Sequence, residues 1–328
     1  MAPSTDDRLG DSGDARSATP GSYGQAPQGY RLPGATRLGP VHLQIADLAR
    51  SLRFYEAALG LRVLDREGPR AVLAAQASEL PLVELQERPG AREAPLRART
   101  GLYHFALLLP DRGSLGRLVR HLWAINARFS SADHLVSEAL YLQDPDNLGI
   151  EIYADRPRGT WQRAGRELIM ATDPLDLSGL AGAADATAGG GLPAGTVMGH
   201  VHLRVGDLEQ ASAFFSEALG FDRTVWHYPG ALFFGAGGYH HHLGTNTWAG
   251  RSAAPPSAED AQLLEWTIEL PDAPAFEAAT ENLVRAGYPV DRTGTSGRGL
   301  TRVTRDPWGT RIRLELQSPT SSPSLAPA

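Results

Sequence analysis

The 328-residue chain has no cysteine. That excludes disulfides, thiolate metal sites and cysteine nucleophiles, so any metal must be held by nitrogen and oxygen ligands. Lysine is missing too, all 31 basic residues being arginine, which together with the abundance of Ala, Gly and Pro reads as the codon usage of a GC-rich genome. Positive charge is outweighed by 37 acidic residues, for a net charge of −6. Without a broad basic footprint, nucleic acid and anionic membranes are poor partners. No apolar run approaches membrane-spanning length, and the first 36 residues carry no signal-peptide core. The expectation is a cytoplasmic protein that acts on a small molecule.

What the chain does contain is a duplication. Gly39-Pro40-Val41-His42-Leu43-Gln44-Ile45-Ala46-Asp47-Leu48 recurs as Gly199-His200-Val201-His202-Leu203-Arg204-Val205-Gly206-Asp207-Leu208. Phe54, Leu59 and Gly60 answer to Phe214, Leu219 and Gly220, Leu109-Pro110-Asp111 to Leu270-Pro271-Asp272, and Asp144-Pro145 to Asp306-Pro307. Two homologous domains are expected, an N-terminal one at 37–155 and a C-terminal one at 196–317. Residues 1–36 and 318–328 read as disordered tails, and 156–195, with its run Gly189-Gly190-Gly191, as a linker.

Within each domain the apolar period alternates between strand and helix. Val41, Leu43 and Ile45 alternate with His42 and Gln44, so His42 points away from the aliphatic face. Asp47 then caps a helix whose Leu48, Leu52, Tyr55 and Leu59 form one stripe, ended by Gly60. Three strand-like stretches follow, and a second cycle opens at Leu102 and closes at Ile150-Glu151-Ile152-Tyr153. The predicted fold class is α+β: four βαβββ modules, two in each domain. His104 lies in an apolar strand and Glu151 between two isoleucines, where an unpartnered imidazole or carboxylate is costly. Ligation of one metal by His42, His104 and Glu151 would satisfy all three, in the two-histidine, one-carboxylate pattern that leaves open positions for substrate and O2.

In these features the chain resembles the vicinal oxygen chelate superfamily (glyoxalase, bleomycin resistance protein and extradiol dioxygenase), and within it the two-domain catechol 2,3-dioxygenase-like branch. His134, Leu140-Tyr141, Asp144-Pro145 and Glu151 match the extradiol signature, with Asn147 where Gly or Pro is usual. The resemblance implies metal ligands His42, His104 and Glu151, Fe(II) as cofactor with Mn(II) as the alternative, His134 as acid or base, and Tyr141 as a hydrogen-bond partner of the substrate oxygen. It further implies that the modules pair into two half-barrel domains, one in each half, and that a catecholic diol and O2 are the substrates; the strand edges of such half-barrels predict a homo-oligomer. A rival reading is a glyoxalase-like isomerase using Ni(II), Zn(II) or Co(II), with Glu84 completing a His/Glu/His/Glu set. A third is a protein that sequesters a small aromatic without turning it over. In the C-terminal half Glu265 answers to His104 and Arg313 to Glu151, so that triad is broken. A different set of His202, Glu265 and one of the strand histidines His240, His241 and His242 stays open.

Overall fold

The computed structural model describes residues 15–317 apart from 96, 98, 185–190, 292–294 and 297–298. The expected tails at 1–14 and 318–328 and most of the triple-glycine run lie outside the described residues. The rest of the first 36 residues corrects the expectation of a disordered tail. Arg16–Ser17 pairs with strand Gln162–Ala164. Tyr23 and Leu32 are buried, and the Tyr23 hydroxyl donates to the Gly238 carbonyl at 2.6 Å. Their apolar side chains anchor a stretch whose composition alone reads as disorder. Most of the expected linker is likewise structured. It supplies the strands Gln162–Ala164 and Glu167–Leu168 and the helix Leu177–Gly182, whose Leu180 is fully buried.

Four modules open with the strands Arg37–Ile45, Gly101–Leu108, Val197–Arg204 and Gln262–Leu270. Each leads into a helix capped by an aspartate: Asp47, Asp111, Asp207 and Asp272 accept the backbone N–H of Arg50, Ser114, Gln210 and Ala275 at 2.7–2.8 Å. These side chains satisfy donors that the first helical turn leaves without partners. No helix among the described residues is long and apolar enough to cross a membrane.

The modules do not pair within each half. One eight-stranded sheet joins module two to module three, and the other joins module one to module four. The junctions are antiparallel pairings of first strands, Gly101–Leu108 with Val197–Arg204 and Arg37–Ile45 with Gln262–Leu270. Every module leaves its first strand with an open edge whose backbone groups need partners. The four edges are chemically alike, so the sequence repeat cannot say which two meet. The aliphatic faces of both sheets, including Val41, Leu43, Phe105, Leu107, Val201, Leu203, Trp266 and Ile268, share one core with the helices. Residues in the other alternation, including Ala106, Tyr153 and Phe233, line the concave face of the sheet built from modules two and three.

Asp144 and Asp306 organise equivalent turns before the closing strands. Asp144 Oδ1 accepts the N–H of Asp146 and Leu148, and Asp306 Oδ1 those of Trp308 and Thr310. Asn147, the departure from the signature, takes the left-handed conformation (φ 63°) that asparagine tolerates. Burial pushes the Asp144 carboxyl up to about 7, against the opposing pull of those N–H groups, and Asp306 to about 6. A folded-state value above the unfolded one, about 3.9, means that the proton stabilises the fold. Asp144's contribution is complete below about pH 4 and is lost as pH rises through about 7, by at most about 1.4 kcal/mol per pH unit. Asp144→Asn keeps the acceptor oxygen and removes the ionisation. Its denaturant-measured stability is expected to decline less than the wild type's between pH 5 and 7, with Asp306 retaining its own share. Parallel curves for the two proteins would refute this.

Candidate metal centre

Three adjacent strands of the module two/three sheet carry the site. In order across the sheet they are Val197–Arg204 with His200, Gly101–Leu108 with His104, and Gly149–Asp155 with Glu151. Ala106 on the middle strand is the register partner of both His200 and Glu151. These two side chains therefore stand on either side of a methyl group, which leaves the floor between them open. His104, two residues along the middle strand, projects from the same face. Its Nε2 lies 3.0 Å from Glu151 Oε2 and 3.3 Å from His200 Nε2, and His200 Nε2 is 3.2 Å from the same carboxylate oxygen. Relative exposures are 6%, 2% and 1% for His104, Glu151 and His200.

Two imidazole nitrogens and a carboxylate oxygen converge on one point, out of water, as the ligand atoms of a metal ion do. Each neutral imidazole has one hydrogen, at Nδ1 or at Nε2, and with it at Nδ1 the Nε2 lone pair faces the cluster. His200 Nδ1 is also buried without a hydrogen-bond partner. A divalent cation satisfies all three: with ligands at about 2.1 Å and right angles between them, donor atoms stand about 3.0 Å apart. Burial works to raise the Glu151 carboxyl, but His200 and His104 prevail and hold it well below the usual carboxylate range. Burial lowers His104, leaving the neutral imidazole that a metal requires. Gly199 is part of this fit, since a Cβ there would come within 1.9 Å of the Tyr153 hydroxyl, whose ring packs 5.0 Å from that of His200.

The expected set of His42, His104 and Glu151 is corrected at one position. His104 and Glu151 meet, but His42 lies in the other sheet, opposite Glu84 and Glu265 in register. The third imidazole is His200. Counting back from the helix caps would have found it: His104 stands seven residues before Asp111 and His200 seven before Asp207, whereas His42 and His202 stand five before theirs. The same count in modules one and four reaches Pro40 and Glu265, and Glu265 is held by Arg311 (3.1 Å) and Arg313 (2.6 Å). Glu265 is therefore remote in topology from His202, and the alternative His202/Glu265 set is not assembled. Glu84 binds Arg70 at 2.6 Å in that other sheet as well.

His134 and Tyr141 adjoin the triad. Tyr141 is the register partner of Glu151, and its ring lies 5.6 Å from that of His104. His134 Nδ1 donates to the Ala171 carbonyl at 2.6 Å, so the neutral ring's Nε2 accepts the Tyr141 hydroxyl at 2.5 Å. Burial, then the Glu151 charge, raises the Tyr141 phenol well above 10.

His202 closes another wall, its Nε2 accepting from Asn246 Nδ2 at 3.0 Å. Tyr103, Trp248 and Phe233 surround its ring. The three successive histidines are not on a strand as expected. Gly237 and Gly238, both at positive φ, turn the chain beforehand, and His240, His241 and His242 lie in the connection ahead of strand Leu243–Asn246. His241 reaches the site, its ring 4.1 Å from that of His200.

The model of the Glyoxalase/Bleomycin resistance protein/Dioxygenase superfamily matches residues 37–152 and 197–314. A catechol-2,3-dioxygenase of Bacillus subtilis (strain 168) is 45% identical over 271 residues, covering 80% of this chain and 93% of that protein. Among solved structures, a provisionally assigned dioxygenase from Bacillus subtilis subsp. subtilis str. 168 superposes with a TM-score of 0.59 at 12% identity, over 89% of this chain and 87% of the other. Glyoxalase I from Zea mays gives a TM-score of 0.52 at 20% identity, over 85% and 92%. At those identities the two structures attest the fold alone.

Proposed function

Because the chain belongs to the glyoxalase/bleomycin resistance protein/dioxygenase superfamily, we propose that it cleaves a catecholic ring with O2, in the extradiol manner, at a metal held by His104, Glu151 and His200. The observation that carries this reading is the buried convergence of two Nε2 atoms and one carboxylate oxygen within 3.0–3.3 Å of one another. The 45% identical relative, a catechol-2,3-dioxygenase, supports the choice of reaction. Fe(II) suits this ligand set, which Mn(II) also accepts. The bound metal would supply a meeting place for diol and dioxygen and a path for charge between them.

The protein's own groups do the rest. Tyr103, Trp248 and Phe233 offer flat apolar surface to an aromatic ring. The Ala171 carbonyl fixes the His134 tautomer, leaving Nε2 as a base that reaches the diol through the Tyr141 hydroxyl. The pair can take a proton from a catechol hydroxyl and return it as the ring opens. Glu151 remains anionic throughout. The glyoxalase-like reading needed a fourth ligand from Glu84, which is engaged by Arg70 in the other sheet.

The test is oxygen uptake by Fe(II)-loaded protein across a panel of catechols. Uptake with formation of a yellow muconic semialdehyde-type product is expected, and none at stoichiometric metal would sink the reading. Tyr141→Phe is expected to keep its metal while kcat falls by about 10- to 100-fold. Unchanged kcat would remove Tyr141 from proton handling.

A further inference from the structure

Behind His200 lies a chain of hydrogen bonds that the proposed reaction does not yet use. Asp155, at the end of the strand that carries Glu151, has Oδ1 2.9 Å from His240 Nε2. His240 Nδ1 lies 2.6 Å from His241 Nδ1. Both rings are buried, with relative exposures of 0% and 4%, and the His240 main chain is tied down by the Thr224 hydroxyl, which donates to its carbonyl at 2.6 Å. The Tyr239 hydroxyl donates to the same Asp155 oxygen at 3.3 Å.

Proton counting gives this chain a direction. The carboxylate can only accept, so His240 Nε2 carries a hydrogen. A neutral imidazole then has a lone pair at Nδ1, and the short contact requires His241 Nδ1 to be the donor. The His241 ring packs against His200 (4.1 Å) and Phe233 (5.0 Å) on the concave side of the sheet.

We infer that Asp155 and His240 are positioning residues which, through two hydrogen bonds in series, lock His241 as the Nδ1–H tautomer and leave its Nε2 as a bare base nitrogen beside the candidate metal centre. The tautomer follows from the hydrogen bonds whatever the site catalyses. Its consequence for turnover rests on the dioxygenase reading. A carboxylate-backed imidazole keeps one nitrogen oriented and unprotonated, as second partners do for catalytic and metal-binding histidines.

The experiment is a long-range proton–nitrogen correlation spectrum of metal-free protein carrying ¹⁵N-histidine, with assignment by substitution. In the wild type, His241 is expected to show a protonated Nδ1 and bare Nε2, and His240 the opposite. In Asp155→Ala and, separately, His240→Phe, His241 should shift toward the Nε2–H form. Iron binding should hold while kcat falls by about tenfold or more with KM within about twofold. A protonated His241 Nε2 in the wild type overturns the proposal, as does an unchanged His241 spectrum in a folded Asp155→Ala protein. A merely structural Asp155 would lower Tm and leave that spectrum alone. Should the tautomers be as expected in a protein that cleaves no catechol, the relay stands and the dioxygenase reading falls.

Discussion

His200→Ala is expected to reduce bound iron to background and catechol-dependent oxygen uptake by at least about 100-fold, since even groups that only support metal ligands are worth 10- to 100-fold. The substitution removes one of three convergent donors and leaves His104 and Glu151 facing each other at 3.0 Å without a third ligand. His42→Ala is the informative control. That histidine lies in the other sheet, between Glu84 and Glu265, with Nε2 buried and without a hydrogen-bond partner. Its loss should leave metal content and uptake within about twofold. Iron analysis and oxygen-electrode rates on the two variants separate the sites. Retention of iron by His200→Ala, or its loss with His42→Ala, would place the metal elsewhere.

Glu265→Gln should destabilise the protein by about 2–3 kcal/mol without changing iron content or kcat. Glu265 is 4% exposed and takes hydrogen bonds from both Arg311 and Arg313. The variant leaves two guanidinium groups around a neutral amide. Breaking a buried pair by removing one partner costs about 3–5 kcal/mol, and the partial exposure of both arginines reduces that through screening. Urea unfolding provides the stability value and iron analysis the specificity. Glu265 occupies the position that His104 occupies in module two, and Arg313 that of Glu151. The second half-barrel thus carries an ion-pair cluster at the positions where the first carries His104 and Glu151. An effect on iron with stability intact would contradict this reading.

Much of this architecture is legible in the residues. The alternation of Val41, Leu43 and Ile45 and the four capping aspartates mark strand–helix modules, because period and capping are local physics. His104 and Glu151 are conspicuous as polar groups in apolar strands. His134 and Tyr141 are recognisable only through the signature, since neither type is unusual in a loop or strand. His200 is masked by its neighbour His202: two histidines on the same face of one strand offer no local ground for choosing between them, and the shared seven-residue spacing from the cap matters only if modules are compared across the halves. Residues 15–36 have the composition of a tail, yet Tyr23 and Leu32 find buried places against distant segments.

By itself the sequence determined the four modules, the duplication, the exclusion of sulfur ligands and two members of the buried cluster, His104 and Glu151, all of which depend on residue type and short-range spacing. Only the tertiary structure decided that module two meets module three and module one meets module four. That choice separates His42 from His104 and brings His200, 96 residues from it in the chain, to its side. It also delivers His241 and Asp155 to one hydrogen-bonded chain across 86 residues. The physical reason is that four first strands present equivalent open edges. Local preference is satisfied by any pairing of them, and only the packing of the whole chain selects one.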